Sequence, residues 1–418
     1  MRGPANPRRP PMRRSVRTWV LIASALALAA ALGARLSSRG PWSWLIDPQR
    51  RPAARAVVSA LRELFDARAA ALVRGDLAVI EPYYDVAGPT DARRYLEHEA
   101  RKLRYVQAWA AKRGVLITAA RAHLQVKSIA LGRQTASAAV WQSLAVRYRP
   151  SSRPSAADHV FSIRTRHEIT LVRRGEKWLV RSDEYTDPLG EDTLSPEVAP
   201  ATSVEPADPV DFVHSIPTSI GGGHIGSSAQ SAASPGTKRG LYDREKAVAY
   251  ADRYCGVMIS PRMEFGYNPR YRDHTETGGD CTNFVSQVLG DSEAGGIPHD
   301  STWHYDYASG RGSEAWVQTD ALAAHLTESG TARLLARGSF REVQEPSPRF
   351  PKGALGELEP GDVIGYEEEG EIQHFAVVTA KDPSGYLLVN THTADRYRVP
   401  WDLGWDKDTV FWIFKIVR

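Results

Sequence analysis

The chain has 418 residues, 42% hydrophobic and 24% charged, which is the composition of an ordinary soluble protein and long enough for two or three domains that each bury a core. Its formal net charge is +4, yet six arginines and no acids lie in the first 34 residues; the other 47 of the 53 basic side chains face 49 acidic ones, a net of −2. The basic balance belongs to the N-terminal leader, and nothing in the bulk composition points to nucleic acid.

The leader joins that arginine-rich start to an uncharged run, TWVLIASALALAAALGA, from Thr18 to Ala34. It reads as an export signal, and small residues at Ala31 and Gly33 offer a cleavage point. A helix of that length also comes close to crossing a bilayer core of about 30 Å, so cleaved signal peptide and retained N-terminal membrane anchor are both open for residues 1–34. Arginines before the apolar run favour everything after it lying outside.

Residues 54–187 read as two helices followed by strands. RAVVSALRELFDARAAALVRGD and DARRYLEHEARKLRYVQAWAAKRG carry apolar residues at three- and four-residue intervals, and Gly75 and Gly114 stand where each stops. Val140, Leu144 and Val146 then share one strand face, Phe161, Ile163, Ile169 and Leu171 share another, and RRGEK reads as a hairpin turn into WLVRSDEY. Helices followed by a meandering antiparallel sheet predict a small α+β domain. The order resembles nuclear-transport-factor-like and cystatin-like modules, an analogy of fold only. No cluster of acid, base and nucleophile is evident there.

Residues 188–240 hold seven prolines and the stretch GGGHIGSSAQSAASPG, with little apolar periodicity, and read as a flexible linker. The last region, 241–418, opens on LYDREKAVAYADRYC, where Ala247, Val248, Ala251, Tyr254 and Cys255 fall on one helical face. Cys255 is therefore expected to be a small buried hydrophobe and not the disulfide partner of Cys281, the other cysteine.

Cys281 lies in GGDCTNFVSQ, where paired glycines and Asp280 approach a helix that begins at about Cys281 and carries Phe284, Val285, Val288 and Leu289 as its apolar stripe. Free N–H groups at a helix start stabilise a thiolate, lowering a thiol pKa from about 8.5 toward neutrality, and can also hold an oxyanion. Asp280 is expected to cap the helix. A thiolate nucleophile needs a base. The segment LEPGDVIGYEEEGEIQHFAVVT predicts a strand at Val363 to Tyr366, an acidic turn, and a second strand starting at His374. YLLVNTHT follows as a third strand, with Asn390 and His392 on one face; either is placed to orient the His374 ring.

These segments in this order, YDREKAVAYADRY, GGDCTNFVSQ with GGIPHDSTWHYD, and PGDVIGY, HFAVVT and VNTHTADRY, resemble the "putative amidase domain" family of exported bacterial proteins, grouped with papain-like cysteine peptidases of NlpC type. The resemblance covers Leu241 to Arg418. It implies a papain-like α+β domain in which a helix bearing Cys281 packs on an antiparallel sheet bearing His374, with Cys281 as nucleophile and His374 as general base. Relatives use His, Asn or Gln as the third residue, so Asn390 and His392 both stand.

Trp303, Tyr305 and Trp316 are candidates for a substrate cleft, although aromatics at that density also build plain core. His274, His299 and His304 crowd the same region, but no C-x-x-C or H-E-x-x-H spacing supports a metal site, and no cofactor is expected. The expectation is an exported cysteine-dependent amide hydrolase, an amidase or peptidase, working through a Cys281 acyl-enzyme with His374 as base and then acid. Its partners would be a peptide or amide substrate with peptidoglycan in view, no nucleic acid, and membrane only through the N-terminal segment. It would be a monomer, secreted or anchored on the outer face of the cytoplasmic membrane. The competing reading is a catalytically inactive binding protein of the cell envelope.

Overall fold

Two long amphipathic helices come first among the described residues. The computed structural model describes residues 51–186, 189, 242–260, 263–405 and 408–417; the expected leader and nearly all of the expected linker lie outside them. No helix among the described residues is long and apolar enough to cross a membrane. Helix α1 (Arg51–Arg74) buries Leu61, Leu64, Phe65 and Leu72 and stops at Gly75, whose N–H closes on the Ala71 carbonyl at 2.8 Å. Helix α2 (Ala92–Lys112) buries Leu96, Ala100, Leu103, Val106 and Ala110, the three-and-four spacing of one helical face.

Four antiparallel strands follow: β1 (Val115–Leu131), β2 (Thr135–Pro150), β3 (His159–Arg174) and β4 (Lys177–Glu184). The β3–β4 hairpin turns between Arg174 and Lys177, within RRGEK. Opposing pairs Val146↔Phe161 and Leu144↔Ile163 put the expected apolar face of these strands against α2, with Leu103, Val106 and Trp109 in the same core.

The C-terminal half supplies helices α3 (Arg244–Arg253), α4 (Cys281–Gly290) and α5 (Thr319–Glu328). Its main strands are β5 (Ala332–Gly338), β6 (Val363–Glu368), β7 (Glu371–Lys381), β8 (Leu387–Thr391), β9 (Arg396–Pro400) and β10 (Val410–Ile416). Every residue of α4 is buried. Alternation along β7 divides two cores. Phe375 and Val377 face α4 with Phe284, Val285, Val288 and Phe414, while Ala376 and Val378 face the opposite side with Tyr366, Trp401 and Phe411.

One sheet spans both halves. Among the described residues its strands run β1-β2-β3-β9-β8-β7-β6-β10-β5, with β4 also on β3. The junction is the pairing of Ile163 and Ser162 on β3 with Arg396 and Tyr397 on β9, so β3 serves β4 along its second half and β9 along its first. Val399 and Leu403 complete the core under α2, and Arg164 holds Asp395 through Nε at 2.7 Å and its terminal nitrogen at 2.6 Å. The architecture is mixed helix and antiparallel sheet, α+β in class.

Candidate active site

Cys281 is the first residue of α4. The chain reaches it through Gly278 (φ 130°) and Gly279 (φ 106°), backbone in the region that favours glycine. The Asp280 N–H donates to Thr393 Oγ1 at 2.6 Å, fixing the helix start to the segment after β8. Cys281 as a whole is 6% exposed. Its neighbours are Thr282 Oγ1 at 3.8 Å and the Phe375 backbone N–H. Burial pushes the thiol up from its ordinary value, outweighing the hydrogen bonds from Phe375 and Thr282 that pull it down, and the Asp280 carboxylate adds to the rise. The expected lowering by the helix start is therefore absent from this structure: desolvation wins.

Asp280 does not cap α4 with its side chain. One carboxylate oxygen accepts from the His274 N–H at 2.9 Å and from Asn283 Nδ2 at 2.8 Å; the other lies 2.6 Å from His392 Nδ1. The backbone at Asp280 (φ −118°, ψ 1°) aims the side chain back at β8 instead of along the helix.

His374 lies inside β7, because the turn at Glu369 and Gly370 pairs Glu368 with Glu371 and starts the strand three residues earlier than expected. It stands opposite Tyr366, and its ring lies 5.5 Å from that of Trp405. Burial pushes the imidazole down to about 3, and the Arg396 guanidinium adds to the fall, so the ring is neutral at ordinary pH.

Its Nε2 is 2.7 Å from Thr391 Oγ1, and that hydroxyl is also 2.8 Å from the Phe375 carbonyl and 3.2 Å from the His392 carbonyl. Carbonyls only accept, so the single hydroxyl proton goes to one of them and the Nε2–H of His374 donates to Thr391. That assignment leaves the lone pair on Nδ1. The thiol meets the N–H of Phe375, the residue after His374, whereas the imidazole turns to the other face of β7 with Tyr366 and Trp405; among the described residues no hydrogen bond joins Sγ to the ring.

The two residues expected to orient His374 are engaged elsewhere. Asn390 accepts from Thr379 Oγ1 (3.0 Å) and the Arg398 N–H (2.7 Å), and donates to the Ala251 carbonyl (3.1 Å) and Asp252 Oδ1 (2.9 Å), tying α3 to the sheet. His392 is 0% exposed, stacked between Tyr267 at 3.7 Å and Phe284 at 4.0 Å, with Nε2 2.6 Å from the Tyr254 carbonyl. An acceptor oxygen therefore faces each of its two ring nitrogens.

Thr391 is the residue that sequence reasoning missed. Asn390 and His392 do share a face, but it is the helix side. His374 follows the parity of Ala376 and Val378, opposite to Phe375, and its partner therefore comes from the other parity of β8.

Other candidates fall into the core. Trp303 (1% exposed), Trp316 (0%) and Tyr305 (5%) pack around α4 and do not line a cleft. Trp303 Nε1 donates to Ser286 and Trp316 Nε1 to Asn283, which lets α4 carry polar residues on a buried face. His299 packs edge-on against Trp316, and His304 Nδ1 contacts the Asp300 carbonyl. Among the described residues no group of three or more His, Cys, Asp or Glu is arranged to hold a metal. Both cysteines are free, and Cys255 is sealed with Val257, Ile259 and Tyr397.

The upstream half holds a polar cluster that the sequence did not reveal. His167 Nδ1 lies 2.9 Å from Asp183, its Nε2 2.8 Å from Thr165 Oγ1, and Arg68 reaches Asp183 at 2.7 Å. Its members come from α1, β3 and β4, far apart in the chain, and both nitrogens of His167 are engaged.

Comparison with known proteins matches residues 241–414 to a family described as "Putative amidase domain", which points to amide hydrolysis at most. The chain is 32% identical over 162 residues to "Uncharacterized protein YhbB" of Bacillus subtilis (strain 168), covering 37% of this chain and 42% of that protein. It therefore spans less than half the length of the curated relative it matches. Solved structures with some likeness include the intermembrane space region of the chloroplast protein ARC6 (14% identity, TM-score 0.23, 32% of this chain and 95% of that one). Another is Bd1075 of Bdellovibrio bacteriovorus (14%, TM-score 0.19, 34% and 42%). A third is titled a putative scytalone dehydratase of Novosphingobium aromaticivorans (13%, TM-score 0.21, 37% and 95%). Scores this low carry no weight for fold or function.

Proposed function

We propose that the C-terminal half is a papain-like, cysteine-dependent amide hydrolase in which Cys281 is the nucleophile and His374 the general base. The observation that carries this reading is the Thr391 hydroxyl: by taking the Nε2–H of His374 it leaves Nδ1 as a proton acceptor on a ring that burial keeps neutral.

Chemistry then proceeds from a neutral pair. The Sγ–H proton passes to Nδ1 as the Sγ–C bond forms, and free N–H groups of the first turn of α4 face the oxyanion. The imidazolium returns the proton to the leaving nitrogen as the C–N bond breaks. Water then adds to the thioester, its proton going to Nδ1, and Sγ leaves with a proton as the acid is released. Peptides and other amides, cell-wall peptides first, are the substrates to screen.

The test is a thiol-reactive acyl probe on the full chain, with the modified peptide mapped. The reading expects an adduct on Cys281, none on the sealed Cys255, and no adduct or turnover in Cys281→Ala. Turnover that survives Cys281→Ala would sink it.

A second reading, an idle binding protein of the cell envelope, draws on one observation: the thiol is buried, pushed up and without a hydrogen bond to the ring. Binding to cell wall unaltered by Cys281→Ala, with no acyl adduct, would favour it.

A further inference from the structure

The loop between β9 and β10 is held from outside its own half of the molecule. Tyr105 and Trp109 of α2 and Arg113, which caps its C-terminal end, recur every fourth position and so follow one helical face. The Tyr105 hydroxyl accepts from the Gly404 N–H (2.7 Å) and the Trp405 N–H (3.1 Å) and donates to the Trp405 carbonyl (2.9 Å). That is the full capacity of a phenol oxygen. Trp109 Nε1 donates to Asp402 at 3.1 and 3.2 Å, and Arg113 grips the same carboxylate through Nε at 2.7 Å and a terminal nitrogen at 2.6 Å. Between them Leu403 is buried in the core under α2, and its carbonyl accepts from Arg396.

Every residue from Asp402 to Trp405 is thus fixed, and the last one reaches the site. The Trp405 indole stacks on Tyr366 at 4.1 Å and 14°, and lies 5.5 Å from the His374 ring. Its Nε1 is buried and has no hydrogen-bond partner among the described residues. A side chain held so is kept there by its backbone anchors and its stacking.

We propose that α2 is a latch on the hydrolase site: Tyr105, Trp109 and Arg113 are positioning residues that set the Asp402–Trp405 loop, and through it the cover Trp405 lays over His374. This rests on reading His374 as the base, but the latch itself is measurable without turnover. It gives the upstream half a role in the site, acting across the joined sheet on the group that must accept the proton.

The experiment uses the full chain and Tyr105→Phe, which keeps the ring and removes the hydroxyl. Amide exchange at Gly404 and Trp405 should accelerate about tenfold or more, the scale of losing a few hydrogen bonds, while the amides of α4 stay protected. Carbethoxylation of the His374 ring by diethyl pyrocarbonate should quicken severalfold, with the doubly engaged His392 unchanged as internal reference. Arg113→Met, which frees Asp402 from the exposed end of the latch, should move both readouts in the same direction and serves if Tyr105→Phe fails to fold. Unchanged exchange at Gly404 and Trp405, or faster exchange and modification throughout the sheet, would overturn the proposal. Local loosening and faster His374 modification in a protein that cleaves no amide would leave the latch standing and sink the hydrolase reading instead.

Discussion

His374 and His392 are both nearly sealed from water, one inside β7 and the other just past the end of β8, yet their surroundings differ in kind. His392 has an acceptor on each ring nitrogen and an aromatic ring on each face, so nothing about it is available. His374 has one nitrogen held by Thr391 and no hydrogen-bond partner for the other among the described residues. A histidine saturated with partners is a structural rivet; one held at a single nitrogen keeps a lone pair open to a proton, although burial works against the charged ring. Under the proposed function, the contrast gives stability to one ring and chemistry to the other.

The sharpest way to break that contrast is His374→Gln. Turnover should fall by roughly 10² to 10⁴, the usual worth of a general base, while the denaturation midpoint hardly moves; retained turnover would take His374 out of the mechanism. His392→Gln should do the reverse. Removing one member of a buried hydrogen-bonded pair costs about 3–5 kcal/mol, here because Asp280 is left sealed without its partner, and urea titration reads the loss directly. Activity per folded molecule should suffer less than in His374→Gln.

Thr391→Val refines the comparison. It keeps the shape but offers no acceptor to Nε2–H, so kcat should drop about tenfold, with Thr391→Ser restoring most of it. The last effect is on acid stability, and it grows only as pH falls. The folded ring of His374 sits at about 3 against an ordinary 6.5, so between those values the unfolded chain binds more protons. The stability this burial permits is therefore complete above about pH 6.5 and is lost as pH falls toward 3. Subtracting the unfolding curves of His374→Gln from those of the parent should expose that slope, up to about tenfold in the unfolding equilibrium per pH unit. A difference that does not depend on pH would mean the ring is solvated.

Much of the frame was legible because it is written locally. The three-and-four spacing of α1 and α2, the RRGEK turn and the two glycines before Cys281 each act within a few residues, and the elements formed where those signals stand. What escaped depends on distance along the chain. Nothing near Ile163 announces that its partner is Arg396, and the polar cluster of Arg68, His167 and Asp183 is assembled from separate elements. Thr391 escaped through parity: Asn390 and His392 carry the side chains usual for orienting a histidine, whereas the strand's alternation gives the face of His374 to the residue between them. Trp303 and Trp316 misled for a related reason. Composition reports aromatic density, but only packing says whether a ring lines a cleft or fills a core.

The pairing of β3 with β9 bears on how the chain acquires its form. The first half of β3 is synthesised long before the residues that will pair with Ser162 and Ile163, so a nascent upstream half carries an unsatisfied strand margin until the C-terminus emerges. Such a margin can recruit the wrong neighbour, including its counterpart on another nascent chain. Chains truncated before Arg396 should accordingly associate with one another, and completion of the native state should wait for the last portion of the polypeptide.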